Sequence, residues 1–263
     1  MENQDILCAF GLTLIAGLST GIGSLIAFLT QKTNTRFLSA ALGLSAGVMI
    51  YVSFMELMPE SVMQLQGIYP GRAAEIHMLL AFFAGIGLIA VIDKLVPEDE
   101  NPHEIHSETP GMQNRKLKRT GMMMALAIGI HNFPEGLATF ASALSDMEIA
   151  IPIVFAIAIH NIPEGIAVSV SIYHATGNRR KAFWLSFLSG MAEPVGALLG
   201  FLFLQPFWTP GVNALLLAFV SGIMVYISFD ELLPGTEKYG HHHYGVAGVV
   251  AGMAVMAGSL LVL

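Results

Sequence analysis

Residues 131–136 read His-Asn-Phe-Pro-Glu-Gly and residues 160–165 read His-Asn-Ile-Pro-Glu-Gly, each inside an otherwise apolar stretch. On a helix, His131 and Glu135 stand four residues apart on one face, with Asn132 beside them, and His160, Asn161 and Glu164 repeat the pattern. Imidazole nitrogen with carboxylate oxygen, and no thiolate, suits borderline divalent ions such as Zn2+, Fe2+, Mn2+ and Co2+, whereas Mg2+ avoids imidazole. Glu193, followed by Pro194, adds a third acid near the centre of another apolar run. Two sub-sites fit these residues. One takes His131, Glu135, His160 and Glu164; the other takes Asn132, Asn161 and Glu193 with the same two glutamates. Shared glutamates would bridge two ions or pass one ion between positions. Pro134 and Pro163 remove backbone donors, freeing the carbonyls of Ile130 and Ile159 next to the charged groups. Facing a polar cavity, those carbonyls can be hydrated or can assist a passing ion.

The apolar segments also hold Glu56, Asp230 and Glu231, and they contain no Lys or Arg. A buried acid at the centre of a bilayer costs about 3 kcal/mol on insertion scales. The acids therefore require a cation that the polypeptide does not supply. A single His-x-x-x-Glu pair is also what an interhelical hydrogen bond needs, and a single proline kink is common in membrane helices. Two copies in neighbouring segments, with a third acid, favour an ion site over that structural role.

The elements that must hold these residues are membrane spans. The chain has 263 residues, 54% hydrophobic and 12% charged, against about 25% charged in an ordinary soluble domain, and its mean hydropathy is +0.67. Runs of about 20 apolar residues cross a bilayer. They occur at Ile6 to Thr30, Phe37 to Met58, Ile76 to Ile92, Gly121 to Leu144, Ile149 to Tyr173, Ala182 to Leu204, Val212 to Leu233 and Tyr244 to Leu263. The expected fold is an all-α integral membrane protein of eight spans, a single domain over residues 1–263. A polar, Pro- and Glu-rich segment, 96–120, is expected to be a flexible cytoplasmic loop. The N-terminus lacks the basic region of a signal peptide, so the first run is read as a retained span. The lone Cys8 excludes an intramolecular disulfide and Cys-rich zinc patterns. A net charge of −7, with basic residues confined to loops, offers no nucleic-acid surface.

Alternate loops collect Lys32 and Arg36, then Lys94, Arg115, Lys116, Lys118 and Arg119, then Arg179, Arg180 and Lys181, and finally Lys238 on one side; only Arg72 falls on the other. The positive-inside rule makes the first side cytoplasmic and puts both termini outside. The string AGVMIYVSFMELMPES at 46–61 returns as SGIMVYISFDELLPGT at 221–236, in spans two and seven. These run in opposite directions, as spans four and five do. Such repeats imply a pseudo-two-fold axis in the membrane plane, with spans 1–3 related to 6–8 around a central 4/5 pair and the working site on the axis. Glu56, near the outer end of span two, is expected at the entrance; Asp230 and Glu231, near the inner end of span seven, at the exit. Helix-end acids that merely snorkel are the alternative for Glu56. His103 and His106 in the loop, with His241, His242 and His243 before the last span, are candidates for cytoplasmic capture of released metal. They are equally what a polar loop contains.

At HNFPEG and HNIPEG, over essentially its whole length, the sequence resembles the ZIP (Zrt/Irt-like) family of divalent-metal transporters, close to its bacterial zinc-uptake branch. The resemblance implies a binuclear centre at His131, Asn132, Glu135, His160, Asn161, Glu164 and Glu193. It also implies uptake into the cytoplasm across the bacterial inner membrane, zinc first, with Fe, Mn, Co and Cd also expected. An elevator-like motion of spans four and five with their partners, and homodimerisation, are further implications. Some relatives carry an acid-containing variant in span five, so His160 and Asn161 bear on metal preference. A metal-dependent intramembrane hydrolase is the rival reading, but the H-E-x-x-H string is absent and duplicated acids suit two-sided access. No phosphate-binding G-x-x-x-x-G-K-[ST] run is present either. A structural membrane scaffold is the third reading.

Overall fold

A computed structural model describes residues 3–29, 34–95, 113–145, 147–204, 207–237 and 240–262. They form eight helical rods: α1 (Asn3–Leu29), α2 (Thr35–Gln66), α3 (Ala73–Leu95), α4 (Gln113–Ser145), α5 (Met147–Thr176), α6 (Arg179–Gly190 and Ala192–Leu204), α7 (Pro210–Glu237) and α8 (His242–Val262). Seven of them, all but α4, are long and apolar enough to cross a membrane. At 33 residues α4 has the length, and its first turns carry Arg115, Lys116, Lys118 and Arg119. It begins before the apolar run, so 113–120 extends the helix; His103 and His106 lie outside the described residues.

Local chemistry sets the ends. Asn34, Asn178 and Thr209 cap α2, α6 and α7, accepting from the amides of Arg36 (3.0 Å), Lys181 (3.0 Å) and Val212 (3.2 Å). After α5, Gly177 takes φ 65° while its amide donates to the Tyr173 carbonyl at 2.8 Å, the left-handed stop that glycine adopts without a Cβ clash.

Three rods are irregular inside. α2 and α7 pass through single π-helical turns at Ser53–Leu57 and Ser228–Leu232, in the repeated strings SFMEL and SFDEL. Each turn closes with an amide reaching five residues back, Met58 to Ser53 and Leu233 to Ser228, immediately before Pro59 and Pro234. Proline has no amide and its ring crowds the preceding turn, which widens to accommodate it. α6 is interrupted at Met191, before Pro194, whose missing amide cannot reach the Gly190 carbonyl. By contrast α4 and α5 run unbroken through Pro134 and Pro163. The rods also outlast their apolar runs: α2 continues to Gln66, ten residues beyond Glu56, because Met58–Gln66 is amphipathic and buries Glu60, Ser61 and Leu65.

Burial is inverted relative to a water-soluble bundle. Thr13, Thr20, Ser24, Ser39, Ser45 and Ser53 are wholly buried, while Leu7, Leu80, Phe83, Leu202, Phe203 and Val250 are exposed. Small and hydroxyl residues let helices approach where no water drives association, and the large side chains face lipid. Packing divides the rods into two sets. α1, α4, α5 and α6 pack mainly on one another, as do α2, α3, α7 and α8; the main seams between the sets are α2 against α5 and α4 against α7. Reciprocal glycine contacts bring helices together backbone to backbone. Gly136 of α4 lies on the Glu193 backbone and Gly196 of α6 on that of Phe133, while Gly165 of α5 lies on Thr20 and Gly23 of α1 on Ile162.

Candidate metal site

Midway along α4 and α5 the two HNxPEG strings meet. His131, Asn132, His160, Asn161, Glu164 and Glu193 are fully buried and Glu135 nearly so. Each histidine faces the glutamate of the other helix: His131 Nε2 lies 3.2 Å from Glu164 Oε1, and His160 Nε2 lies 3.0 Å from Glu135 Oε1. Within α4 itself, His131 Nε2 and Glu135 Oε2 are 4.0 Å apart. The four groups read from spacing as one sub-site therefore form one cluster, crossed between helices.

The residues expected to form a second sub-site reach two further helices, α1 and α6. Asn161 Nδ2 donates to Glu193 Oε1 of α6 and, at 2.9 Å, to the Ala16 carbonyl of α1. Asn132 Nδ2 donates to the Ser189 carbonyl at 3.3 Å. With both amide nitrogens committed to these acceptors, Asn132 Oδ1 and Asn161 Oδ1 have no donor among the described residues, and neither has Glu193 Oε2. Beyond the two imidazoles, no donor reaches either carboxylate of Glu135 or Glu164 among the described residues. Buried oxygens without donors are costly. A divalent cation would satisfy several at once.

The side chains are turned toward each other, not around a common point. Among the described residues no three His, Cys, Asp or Glu side chains stand in preformed metal-ligand geometry. An ion must displace the imidazoles from the carboxylates before both can ligate it.

The roles of Ala16 and Ser189 carry no side-chain signal in sequence, since only their carbonyls act. The nearest cue to Ser189 is Pro194, which interrupts α6 just before Glu193. Gly190 of that stretch packs on the Gly17 carbonyl and Thr20 of α1, bringing α1 against the site.

The expected entrance and exit acids lie elsewhere. Glu56 sits in the π-helical turn of α2, near a second acid, Glu60, which is buried and accepts from Gln64 Nε2 at 2.8 Å. Asp230 and Glu231 occupy the matching turn of α7, where Asp93 of α3 comes within electrostatic reach of Glu231. Sequence alone assigns Asp93 no role and passes over Glu60. At the start of α8, His241 Nε2 lies 3.0 Å from Thr35 Oγ1, and His242 contacts Glu237. His243 is exposed. His77 stacks on Tyr69 with centroids 4.2 Å apart, a packing role.

Long apolar helices around a sealed cluster of imidazoles, amides and carboxylates define a multi-pass membrane protein with a cation-attracting centre. Comparison with known proteins makes that class specific: residues 94–260 match the family described as ZIP Zinc transporter, and the chain belongs to that family. It is 58% identical to the zinc transporter ZupT of Streptococcus mutans over 260 residues, 98% of each chain. It is 56% identical to ZupT of Nitratidesulfovibrio vulgaris over 99% of each chain. With ZupT of Clostridium perfringens it shares 53% identity, over 98% of this chain and 96% of the other. These relatives are named as transporters, so the hydrolase and scaffold readings fall away.

Proposed function

We propose that this protein carries divalent transition-metal ions, zinc first, across the bacterial inner membrane into the cytoplasm, with HNFPEG and HNIPEG as the carrying site. The observation behind this reading is the crossed pair of imidazole–carboxylate contacts, His131 with Glu164 and His160 with Glu135, sealed from solvent. Residues 121–178 and 182–237 contain no Lys or Arg to balance these acids. An arriving dication takes the place of the protons held between imidazole and carboxylate, gaining nitrogen and oxygen ligands together. Because the ligands bind metal only when deprotonated, loading releases protons.

A binuclear arrangement belongs to the same proposal. One ion takes His131, His160, Glu135 and Glu164; the second takes Asn132 Oδ1, Asn161 Oδ1 and Glu193 with the shared glutamates. The donorless amide oxygens support it, since amide and carboxylate oxygens accept a hard or borderline dication without losing a proton. Glu56 at the entrance, and Asp230 with Glu231 at the exit, complete the route. The inverted repeat is supported by the matching π-helical turns and by glycine contacts that pair α4 with α6 as they pair α5 with α1. The loop charges support both termini outside, and a dimer of such chains belongs to the same proposal.

Zinc uptake into proteoliposomes tests the reading. Wild-type protein is expected to load vesicles with zinc, and Glu135→Ala and Glu164→Ala to abolish loading; undiminished uptake in either variant refutes the site.

A further inference from the structure

At the end of the bundle where α2 finishes and α7 begins, four buried or half-buried polar side chains join three helices. Asn213 of α7 donates through Nδ2 to Gln64 Oε1 of α2 at 3.1 Å and to Ser142 Oγ of α4 at 3.3 Å. Ser142 Oγ also lies 3.4 Å from Asn213 Oδ1. Gln64 in turn donates to Glu60 at 2.8 Å. Asn213 and Ser142 are 1% and 2% exposed, so this is a buried network and not a solvated fringe.

Its position gives it significance. Ser142 belongs to the set of rods that holds the cluster, whereas Asn213, Gln64 and Glu60 belong to the other set, and the bond between Ser142 and Asn213 crosses the α4–α7 seam. On α4, Thr139 stands one turn from Glu135 toward Ser142, on the same face. Thr139 is fully buried and its Oγ1 has no partner among the described residues. A polar stripe therefore runs from the metal cluster to the seam and stops at Asn213.

The chain supplies its own comparison. Following the two internal repeats along their helices, the position equivalent to Asn213 is Leu38 on α2, equally buried, and the equivalent of Ser142 is Ser171 on α5. Ser171 Oγ has no partner among the described residues. One seam is thus hydrogen-bonded at the position where its counterpart has leucine.

We propose that Asn213 is a latch, binding Ser142 to Gln64 and Glu60 so that this end of the route stays closed. Its release separates α4 from α7, opens the stripe through Thr139 to the cluster, and frees the Glu60 carboxylate to meet an incoming cation. The proposal rests on the transport reading for its purpose, but not for its test.

The test uses full-length protein in oriented vesicles, with Cys8→Ser and Thr139→Cys leaving one thiol, labelled by a membrane-impermeant maleimide from either side. Adding Asn213→Leu, which installs the residue of the other repeat, is expected to accelerate labelling from the side of Gln66 and Pro210 by roughly five- to thirtyfold, the shift that one or two net hydrogen bonds represent. Ser142→Ala is expected to do the same more weakly, and serves alone if Asn213→Leu does not yield a monodisperse protein. Unchanged labelling, or acceleration only from the opposite side, overturns the latch. Labelling needs no metal. If zinc fails to enter wild-type vesicles while Asn213→Leu labels faster, the transport reading fails and the latch survives; if zinc enters and labelling does not change, the reverse holds.

Discussion

Glu193 and the two asparagines separate the two proposed ion positions more cleanly than the histidines do. Glu193 Oε1 accepts from Asn161 while Oε2 has no donor among the described residues. Glu193→Gln keeps an acceptor for Asn161 but removes the charge that a second ion needs. Bound zinc, counted by elemental analysis of purified protein, is expected to fall from two per chain toward one. Glu135→Gln removes a shared ligand and is expected to lower both. Two ions still bound in Glu193→Gln would refute the assignment of the second position. Acid competes with metal at the imidazoles of the first position, which ligate only when deprotonated. Ordinary histidine titrates near pH 6.5. The sign follows: protons compete with metal as pH falls through the histidine range, so zinc affinity is expected to weaken from pH 7.5 to 5.5, by roughly tenfold per pH unit for each proton displaced. Zinc titrations at the two pH values check this; unchanged affinity would place the ion away from His131 and His160.

Gly136 shows how an element, not a ligand, sets the site. A Cβ there would run into the carbonyl, carbonyl carbon and Cα of Glu193, all backbone atoms that cannot swing aside. Gly136→Ala is expected to push α6 off α4 and carry Glu193 away from Asn161, an overpacking cost of about 1–3 kcal/mol. It should lower thermal stability and shrink the zinc-induced rise in melting temperature, because ligand stabilisation scales with affinity. A variant with wild-type melting and an undiminished zinc shift would contradict this. What sequence disclosed at this scale follows from periodicity. His131 with Glu135 and His160 with Glu164 are legible because a helix has a fixed pitch, and seven of the eight rods because they carry apolar runs of membrane length; in α4 the polar HNxPEG residues dilute that signal. The crossed partnership, with each histidine on the other helix's glutamate, was not legible, since spacing along one helix says nothing of rotation against its neighbour. The π-helical turns and the break at Met191 lie beside Pro59, Pro234 and Pro194. Pro134 and Pro163 carry the same signal in rods that run unbroken, so a proline does not reveal whether a helix widens, breaks or continues. Asn213 and Glu60 are not legible because one polar residue at the edge of an apolar run looks like a helix end; the extension of α2 to Gln66 buries Glu60 and brings Gln64 onto Asn213.

For the whole molecule, the distribution of charge decides what can drive the ion. Among the described residues the acids of the central cluster face imidazole, not Lys or Arg, so the proposed route meets no fixed cation there to repel a dication. Loop cations gather at the predicted cytoplasmic side, where the bilayer interior meets a negative potential. A potential of about 100 mV, negative inside, contributes roughly 2.3 kcal/mol per charge, hence about twice that for a divalent ion crossing without a compensating charge. Zinc uptake into proteoliposomes is therefore expected to rise when a potassium diffusion potential makes the interior negative, and to slow when the gradient is reversed. The two imidazole–carboxylate pairs offer the only competing route within the site: if each ion entering exchanged for two protons leaving, charge movement would cancel. Uptake would then ignore the imposed potential and follow a pH gradient instead. Measuring initial rates at fixed pH with the potential stepped in both directions separates the cases, and a flat response to voltage would exclude potential-driven import while leaving the metal cluster itself intact.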